Sequence, residues 1–332
     1  MNIIKKDEFL NNFYTFVNKH NLDDYSLDNI EKIANQFNNP QDQIKGFTIY
    51  ITGTNGKGSL VAFLRSIFRA SGLTCNIFTS PHIKKLEERI IIRNEFVNSE
   101  ELKSHLLKLE NSKLSYFEQM TLVAYMLFAK YEADINIIEV GIGAKLDATN
   151  IIKKVDCSVI TTIGFDHIEY LGDTIEKIAT DKSYVMRKNS PCFLGKQNFL
   201  EAITTLQNMA KIHEAKIFEY NKDFYENEVL NMQIGLIGVH QIYNATLAYG
   251  IAIYCKKFFN TISNQTIKFG VENAKWPGRL ELIKTSEYNF ILDGAHNIDG
   301  AIILRKWYDI YVSNINHSIN PKYLNQIIIN NY

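Results

Sequence analysis

A short β-rich run, Phe47-Thr48-Ile49-Tyr50-Ile51, leads directly into Thr52-Gly53-Thr54-Asn55-Gly56-Lys57-Gly58-Ser59. Leu60, Phe63, Leu64, Ile67 and Phe68 then recur at helical spacing until Gly72. Strand, glycine-rich loop and amphipathic helix in immediate succession leave few folds open. Glycines let the loop backbone wrap an anion, and N–H groups at the helix start donate to it. Lys57 would neutralise terminal phosphates, and Ser59 is expected to cap the helix and touch phosphate or metal. The spacing departs from G-x-x-x-x-G-K-[ST], because Gly58 stands between the lysine and the serine.

The alternation continues beyond the loop. Residues 74–79 read as a strand ending at Ser80-Pro81-His82, residues 122–128 as part of an apolar helix, and residues 135–140 as a buried strand ending at Gly141-Ile142-Gly143. Residues 157–163 read as a further strand. This pattern predicts an α/β fold with a mostly parallel sheet covered on both faces. The polar clusters at 53–59, 80–82, 139–150 and 164–167 all fall at strand ends, where such sheets bind ligands. Residues 1–45 read as polar and helical, with a break at Asn38-Asn39-Pro40.

A second unit is expected to start near residue 285. Residues 289–292 read as a strand, followed by Asp293-Gly294-Ala295-His296-Asn297. The division predicted is a P-loop-type nucleotide-binding domain over 1–284 and an incomplete second α/β, Rossmann-like domain over 285–332. The tail is rich in Asn, Ile and Tyr and fits neither structural period, so residues 301–332 are not expected to fold natively.

Composition excludes some function classes. Lys plus Arg and Asp plus Glu are 36 each, so a general nucleic-acid binder is not expected. Cys75, Cys157, Cys192 and Cys255 form no C-x-x-C pair and are expected to be reduced and structural. Charge in the first residues and the lack of an 18-residue apolar span predict a cytoplasmic chain with no membrane contact. No Ser-His-Asp or reactive-Cys arrangement points to a side-chain nucleophile.

The wording Thr-Gly-Thr-Asn-Gly-Lys-Gly-Ser resembles the folylpolyglutamate synthase and dihydrofolate synthase family, which belongs with the murein peptide ligases. The resemblance runs on through Thr79-Ser80-Pro81-His82, Glu88-Arg89-Ile90, Phe117-Glu118, the stretch from Glu139 to Asn150, Ile163-Gly164-Phe165-Asp166-His167, His240-Gln241-Ile242-Tyr243-Asn244-Ala245, Trp276-Pro277-Gly278-Arg279-Leu280-Glu281 and Asp293-Gly294-Ala295-His296-Asn297.

It implies an ATP-dependent ligase that adds L-glutamate to dihydropteroate or a folate through an acyl phosphate, with Mg²⁺ as cofactor. It implies catalytic roles for Lys57, Lys182 and His296. ATP would be bound by Thr54, Asn55, Gly56, Lys57, Gly58, Ser59, Asn244, Arg279 and Asp293. The pteroate would meet Phe117, Asp147 and Ala148, and the metal ligands would be Ser80, Glu139 and His167. Lys182 matches the position of a carbamylated lysine. A monomer with only small-molecule partners is expected.

This chain departs from the family pattern in two places. Asp181, Ser183 and Tyr184 surround Lys182 where Glu and Ala-Gly are usual, and Ala144-Lys145 replace a glycine and an arginine. If that glycine needs positive φ, Ala144 would strain the loop. Two alternatives accompany the reading. One is a remnant that binds ATP or pteroate without ligating. The other is a murein peptide ligase, disfavoured because the roughly 50 residues before the loop fall below the usual domain size.

Overall fold

The computed structural model describes residues 26–286, 289–316 and 327–329. The first half contains α1 (Asp28–Gln36), β1 (Phe47–Thr52), α2 (Lys57–Ala70), β2 (Cys75–Phe78), β3 (Ile90–Ile92), β4 (Glu95–Phe96), α3 (Ser99–Lys108), α4 (Tyr116–Lys130) and β5 (Ile135–Glu139). It continues with β6 (Cys157–Ile160), α5 (Ile168–Leu171), α6 (Ile175–Lys182), β7 (Pro191–Leu194), α7 (Leu200–Ile212), β8 (Lys216–Glu219), α8 (Gln241–Cys255) and α9 (Asn264–Asn273). The last elements are β9 (Glu281–Lys284), β10 (Asn289–Asp293), α10 (Ile298–Asn316) and β11 (Ile327–Ile329).

The first eight strands form one sheet in the order β4-β3-β2-β5-β1-β6-β7-β8. Its pairings are parallel except where β3 meets β2 and β4. β1 lies between β5 and β6 and is buried along its whole length. Its side chains alternate between faces, as strand geometry requires. Tyr50 enters a core shared with α4, α6 and α7, while Ile49 and Ile51 enter a second core shared with α2, α8 and α9. Helices therefore cover both faces, as the near-continuous apolar runs predict.

The start of α2 differs from the sequence expectation. The helix begins at Lys57 with Gly56 as its N-cap at φ 95°, and no side chain caps it. Ser59 sits inside the first turn, and its Oγ accepts from Gln241 Nε2 at 3.2 Å. Glycine takes up φ 95° at no steric cost, which suits it to this entry into the helix.

The second sheet has the order β11-β10-β9. β9 pairs antiparallel with β10, so this sheet begins before residue 285. The strand was hard to read because it carries charge and is mostly exposed. β10 and β11 are parallel. The expectation that residues 301–332 would not fold natively is corrected over 301–316, which belong to α10, and at β11. Leu304, Trp307 and Tyr311 of that helix pack with Leu280 and Ile291. Tertiary packing thus supplies what the weak periodicity hid. The remaining tail residues, and most of the expected N-terminal helical stretch, lie outside the described residues.

Candidate active site

The loop between β1 and α2 is anchored from below. Thr54 N and Asn55 N both donate to Thr162 O, at 2.8 and 3.3 Å. Thr54 Oγ1 donates to Gly164 O and accepts from Gly164 N, each at 3.0 Å. Thr161 Oγ1 donates to Asn55 O at 2.7 Å. The loop is therefore fixed to the end of β6 rather than suspended in solvent.

Lys57 folds back over the loop. Its Nζ donates to Gly53 O at 2.8 Å and Thr54 O at 3.4 Å. Burial lowers its basicity, and Glu139 and Asp166 counter that. Lys182, buried beneath the loop, also donates to Gly53 O, at 3.3 Å. Burial, with Lys57 alongside, pushes the Lys182 amine down to about 7. Ser183 Oγ donates to Thr180 O, and the Tyr184 ring lies under Lys145.

Glu139 ends β5 and is 2% exposed. It accepts from the Thr79 hydroxyl and, at 3.4 Å, from Ser80 N. Burial raises its pKa, opposed chiefly by Lys57 and the Thr79 hydrogen bond. His167 adopts a left-handed backbone, φ 48°, ahead of α5. Burial lowers its pKa and favours the neutral imidazole.

Asp166 is a hub that sequence reasoning did not single out. Its carboxylate accepts from His167 N at 3.1 Å and from Asn297 Nδ2 at 3.1 Å. His296 Nε2 stands 3.4 Å from its Oδ2. Burial works to raise the Asp166 carboxyl, but the His296 and Asn297 hydrogen bonds and His167 hold it well below the usual carboxylate range. The same hydrogen bond raises the pKa of His296.

The turn that leads into β9 carries a further cation. Gly278 N donates to Glu281 Oε2 at 2.9 Å, and Gly294 N donates to Gly278 O at 2.9 Å. Both Asp293 oxygens accept from the backbone: Leu280 N and Ala295 N, each at 2.9 Å. Leu280 is thereby held at φ 48°. Arg279 projects from this turn toward the first turn of α2. A Cβ at Gly58 would stand 3.4 Å from Arg279 Nη2 and 3.3 Å from Trp276 Nε1. The extra glycine in the loop is the space these two side chains use.

A cavity of about 1010 Å³ gathers Thr54 to Ser59, Ser80, Glu139, His167, Asn244, Arg279, Asp293 and His296 in one lining. Asn244 Oδ1 lies 2.5 Å from where a Gly56 Cβ would be, and its Nδ2 donates to Gln241 Oε1 at 2.9 Å. Lys196 joins the lining with its Nζ 3.6 Å from the Tyr243 ring centroid. That pair had no local sequence signal.

Phe117, Asp147, Ala148 and Lys182 lie outside this lining. Phe117 packs 5.8 Å from Phe78 with its ring against Gly141. Asp147 accepts from Gly141 N at 3.0 Å, Ile142 N at 2.9 Å and Thr149 N at 3.0 Å, and from the Thr149 hydroxyl. It is thus committed to shaping its own loop. Ala148, also buried, opens the short turn after it. Positive φ in this loop falls on Gly143, at 64°, not on Ala144, so the expected strain is absent.

Comparison with known proteins gives the family. The Mur ligase middle domain matches residues 51–252. A dihydrofolate synthase/folylpolyglutamate synthase of Bacillus subtilis is 32% identical over 83% of this chain and 70% of its own length. The chain belongs to the dihydrofolate synthase/folylpolyglutamate synthase family. A folylpolyglutamate synthase of Saccharomyces cerevisiae is 30% identical over 78% of the chain, which spans about half of that relative, 53%. Among solved structures of the family, the Mycobacterium tuberculosis folylpolyglutamate synthase complexed with ADP gives a TM-score of 0.79 at 26% identity, over 91% of this chain and 74% of that one. A complex of FPGS with AMPPCP and folate gives 0.79 at 26% identity, covering 91% and 80%.

Proposed function

We propose that the chain is an ATP-dependent ligase that adds L-glutamate to dihydropteroate or a folate. The observation that carries this is a cavity whose lining brings an anion-cradling loop with Lys57 together with Arg279, on the turn before β9, and His296, on the loop after β10. The substrate carboxylate would attack the γ-phosphate of ATP to give an acyl phosphate and ADP. The glutamate amine would then displace phosphate and form the amide. Such transfers need in-line positioning and charge neutralisation more than covalent help.

The residues divide that work. The loop amides and Lys57 would hold the phosphates, Arg279 stands beside the loop at Gly58, and Asn244 abuts it at Gly56. Family solved structures bound to ADP, AMPPCP and folate support nucleotide and folate as ligands. Asp293 supports ATP binding through the Arg279 turn, since both its oxygens are committed to backbone. Phe117, Asp147 and Ala148 would serve pteroate as the wall behind Gly141. Lys182, with an amine near neutrality and carbonyl Gly53 beside it, suits carbamylation, because CO₂ reacts with the uncharged amine.

Mg²⁺ fits the donor set. Among the described residues no three His, Cys, Asp or Glu side chains cluster tightly enough to hold a metal by themselves. Mg²⁺ keeps several waters and takes oxygen from substrate phosphates, so Ser80, Glu139 and His167 suffice beside a nucleotide. When bound it would neutralise phosphate charge. No helix among the described residues is long and apolar enough to cross a membrane.

The test is glutamate incorporation by the purified chain with ATP, Mg²⁺, bicarbonate, glutamate and either dihydropteroate or tetrahydrofolate, read by mass spectrometry. A product heavier by one glutamate residue supports the ligase, and the accepted substrate names it. Nucleotide or pteroate binding without product would replace it with a binding protein that does not ligate.

A further inference from the structure

Asn297 lies between His296 and α10, and its side chain serves two structures at once. Its Oδ1 accepts from Gly300 N at 2.9 Å, an N-cap for the helix. Beyond that it reaches across to the first unit. Asn297 Nδ2 donates to Asn55 Oδ1 at 3.1 Å, and Asn55 Nδ2 donates back to Asn297 Oδ1 at 3.3 Å. Asn297 Nδ2 also donates to Asp166 Oδ2, at 3.1 Å, the same oxygen that faces His296 Nε2.

Two primary amides paired in reciprocal order satisfy a donor and an acceptor on each only in one relative orientation. Asn55 belongs to the anion-cradling loop and Asp166 to the loop after β6. The contact therefore ties the second unit to two strand-end loops of the first. A helix cap alone would need none of these contacts, since one oxygen accepting from the helix N–H suffices.

We infer that Asn297 is a positioning residue that, with Asn55 and Asp166, clasps the second unit to the phosphate loop and so sets where His296 stands over it. Its purpose rests on the ligase reading; its existence rests on the contacts themselves. With the clasp broken, the fold and the loop persist but His296 and the Arg279 turn lose their registration with the bound nucleotide.

Serine separates the two roles of Asn297, because it caps helices as well as asparagine but has no amide to pair. Asn297→Ser, Asn55→Ala and the double variant are compared with wild type. Two measurements are made: ligation kinetics, and hydrogen exchange at the start of α10 in the nucleotide-free chain. The clasp predicts faster exchange in both single variants. It also predicts about a tenfold fall in kcat for each, with KM for ATP changed less, and a double variant no worse than either single. Wild-type exchange and kcat in Asn297→Ser, or additive losses in the double variant, would overturn it. If wild type does not ligate, the ligase reading fails, and exchange alone still decides the clasp.

Discussion

Lys57 and Lys182 both donate to the carbonyl oxygen of Gly53, at 2.8 and 3.3 Å. Two ammonium groups on one acceptor repel each other. Lys57 has Glu139 and Asp166 as its chief compensating charges, whereas Lys182 lies buried with Lys57 as its largest charged influence. Burial first, and Lys57 second, therefore hold the Lys182 amine down to about 7.

That arrangement has a signature in stability. Lys182 has an ordinary pKa of 10.5 when unfolded and about 7 when folded. Between these values the unfolded state binds more protons, so stability rises with pH across the window and the cost of charging is fully present below about 7. Lys182→Met should flatten that rise. Melting temperatures measured from pH 7 to pH 10 check this; a variant whose curve parallels wild type would show that Lys182 keeps its charge on folding.

Lys57→Ala should reduce ATP turnover by at least about a hundredfold, the scale of losing one preorganised charge in a buried site. Lys57→Arg should not restore it, because a planar guanidinium does not fit the space between the Gly53 and Thr54 carbonyls that a compact ammonium occupies. Steady-state kinetics with a nucleotide-binding measurement checks both. Turnover near wild type in either variant would remove Lys57 from the phosphate site.

Glu139 separates function from stability. Its charged form is disfavoured by burial yet compensates Lys57, so in Glu139→Gln the two effects offset each other and the melting temperature should shift little. Loss of a charged ligand should raise the Mg²⁺ concentration for half-maximal activity about tenfold or more. A magnesium titration beside thermal unfolding reads both effects. An unshifted titration would exclude Glu139 as a metal ligand.

The features readable from sequence were those carried by adjacent residues. Phe47 to Phe68 declared strand, loop and helix because one short stretch holds all three signals, and Glu139 was legible as a carboxylate ending an apolar strand. What escaped notice depends on distant partners. Asp166 matters through Asn297, far along the chain, and Lys196 through Tyr243. α10 was hidden because its apolar face is completed by Leu280 and Ile291, on other elements. Asp147 was matched to the pteroate by resemblance. The structure shows a side chain whose oxygens are taken by its own loop, a commitment that depends on backbone geometry.

Gly58 tests why this loop carries a residue between lysine and serine. Alanine there should favour the helix by up to about 1 kcal/mol, yet its Cβ would press on Trp276 Nε1 at 3.3 Å and Arg279 Nη2 at 3.4 Å. Gly58→Ala should therefore keep or raise stability while lowering kcat/KM several-fold, because Arg279 must retreat from the phosphates. Both quantities fall out of one preparation by thermal unfolding and kinetics. Full activity in the variant would mean that Arg279 does not act from where it stands.

Gly270 tests the packing that sets the loop. α9 lies on α2 so closely that Gly270 meets the Ile67 backbone, and an added Cβ would collide with the Ile67 Cα. Backbone atoms cannot swing aside as a side-chain tip can, so Gly270→Ala should cost about 1–3 kcal/mol through overpacking, more than its gain in helix propensity returns. Because α2 carries Lys57 at its first turn, the same variant should also weaken nucleotide binding at temperatures well below its melting point. Denaturant unfolding and nucleotide titration check the two together. A stability loss with unchanged nucleotide affinity would mean that the loop takes its position from β1 and Thr162 and not from the helix behind it.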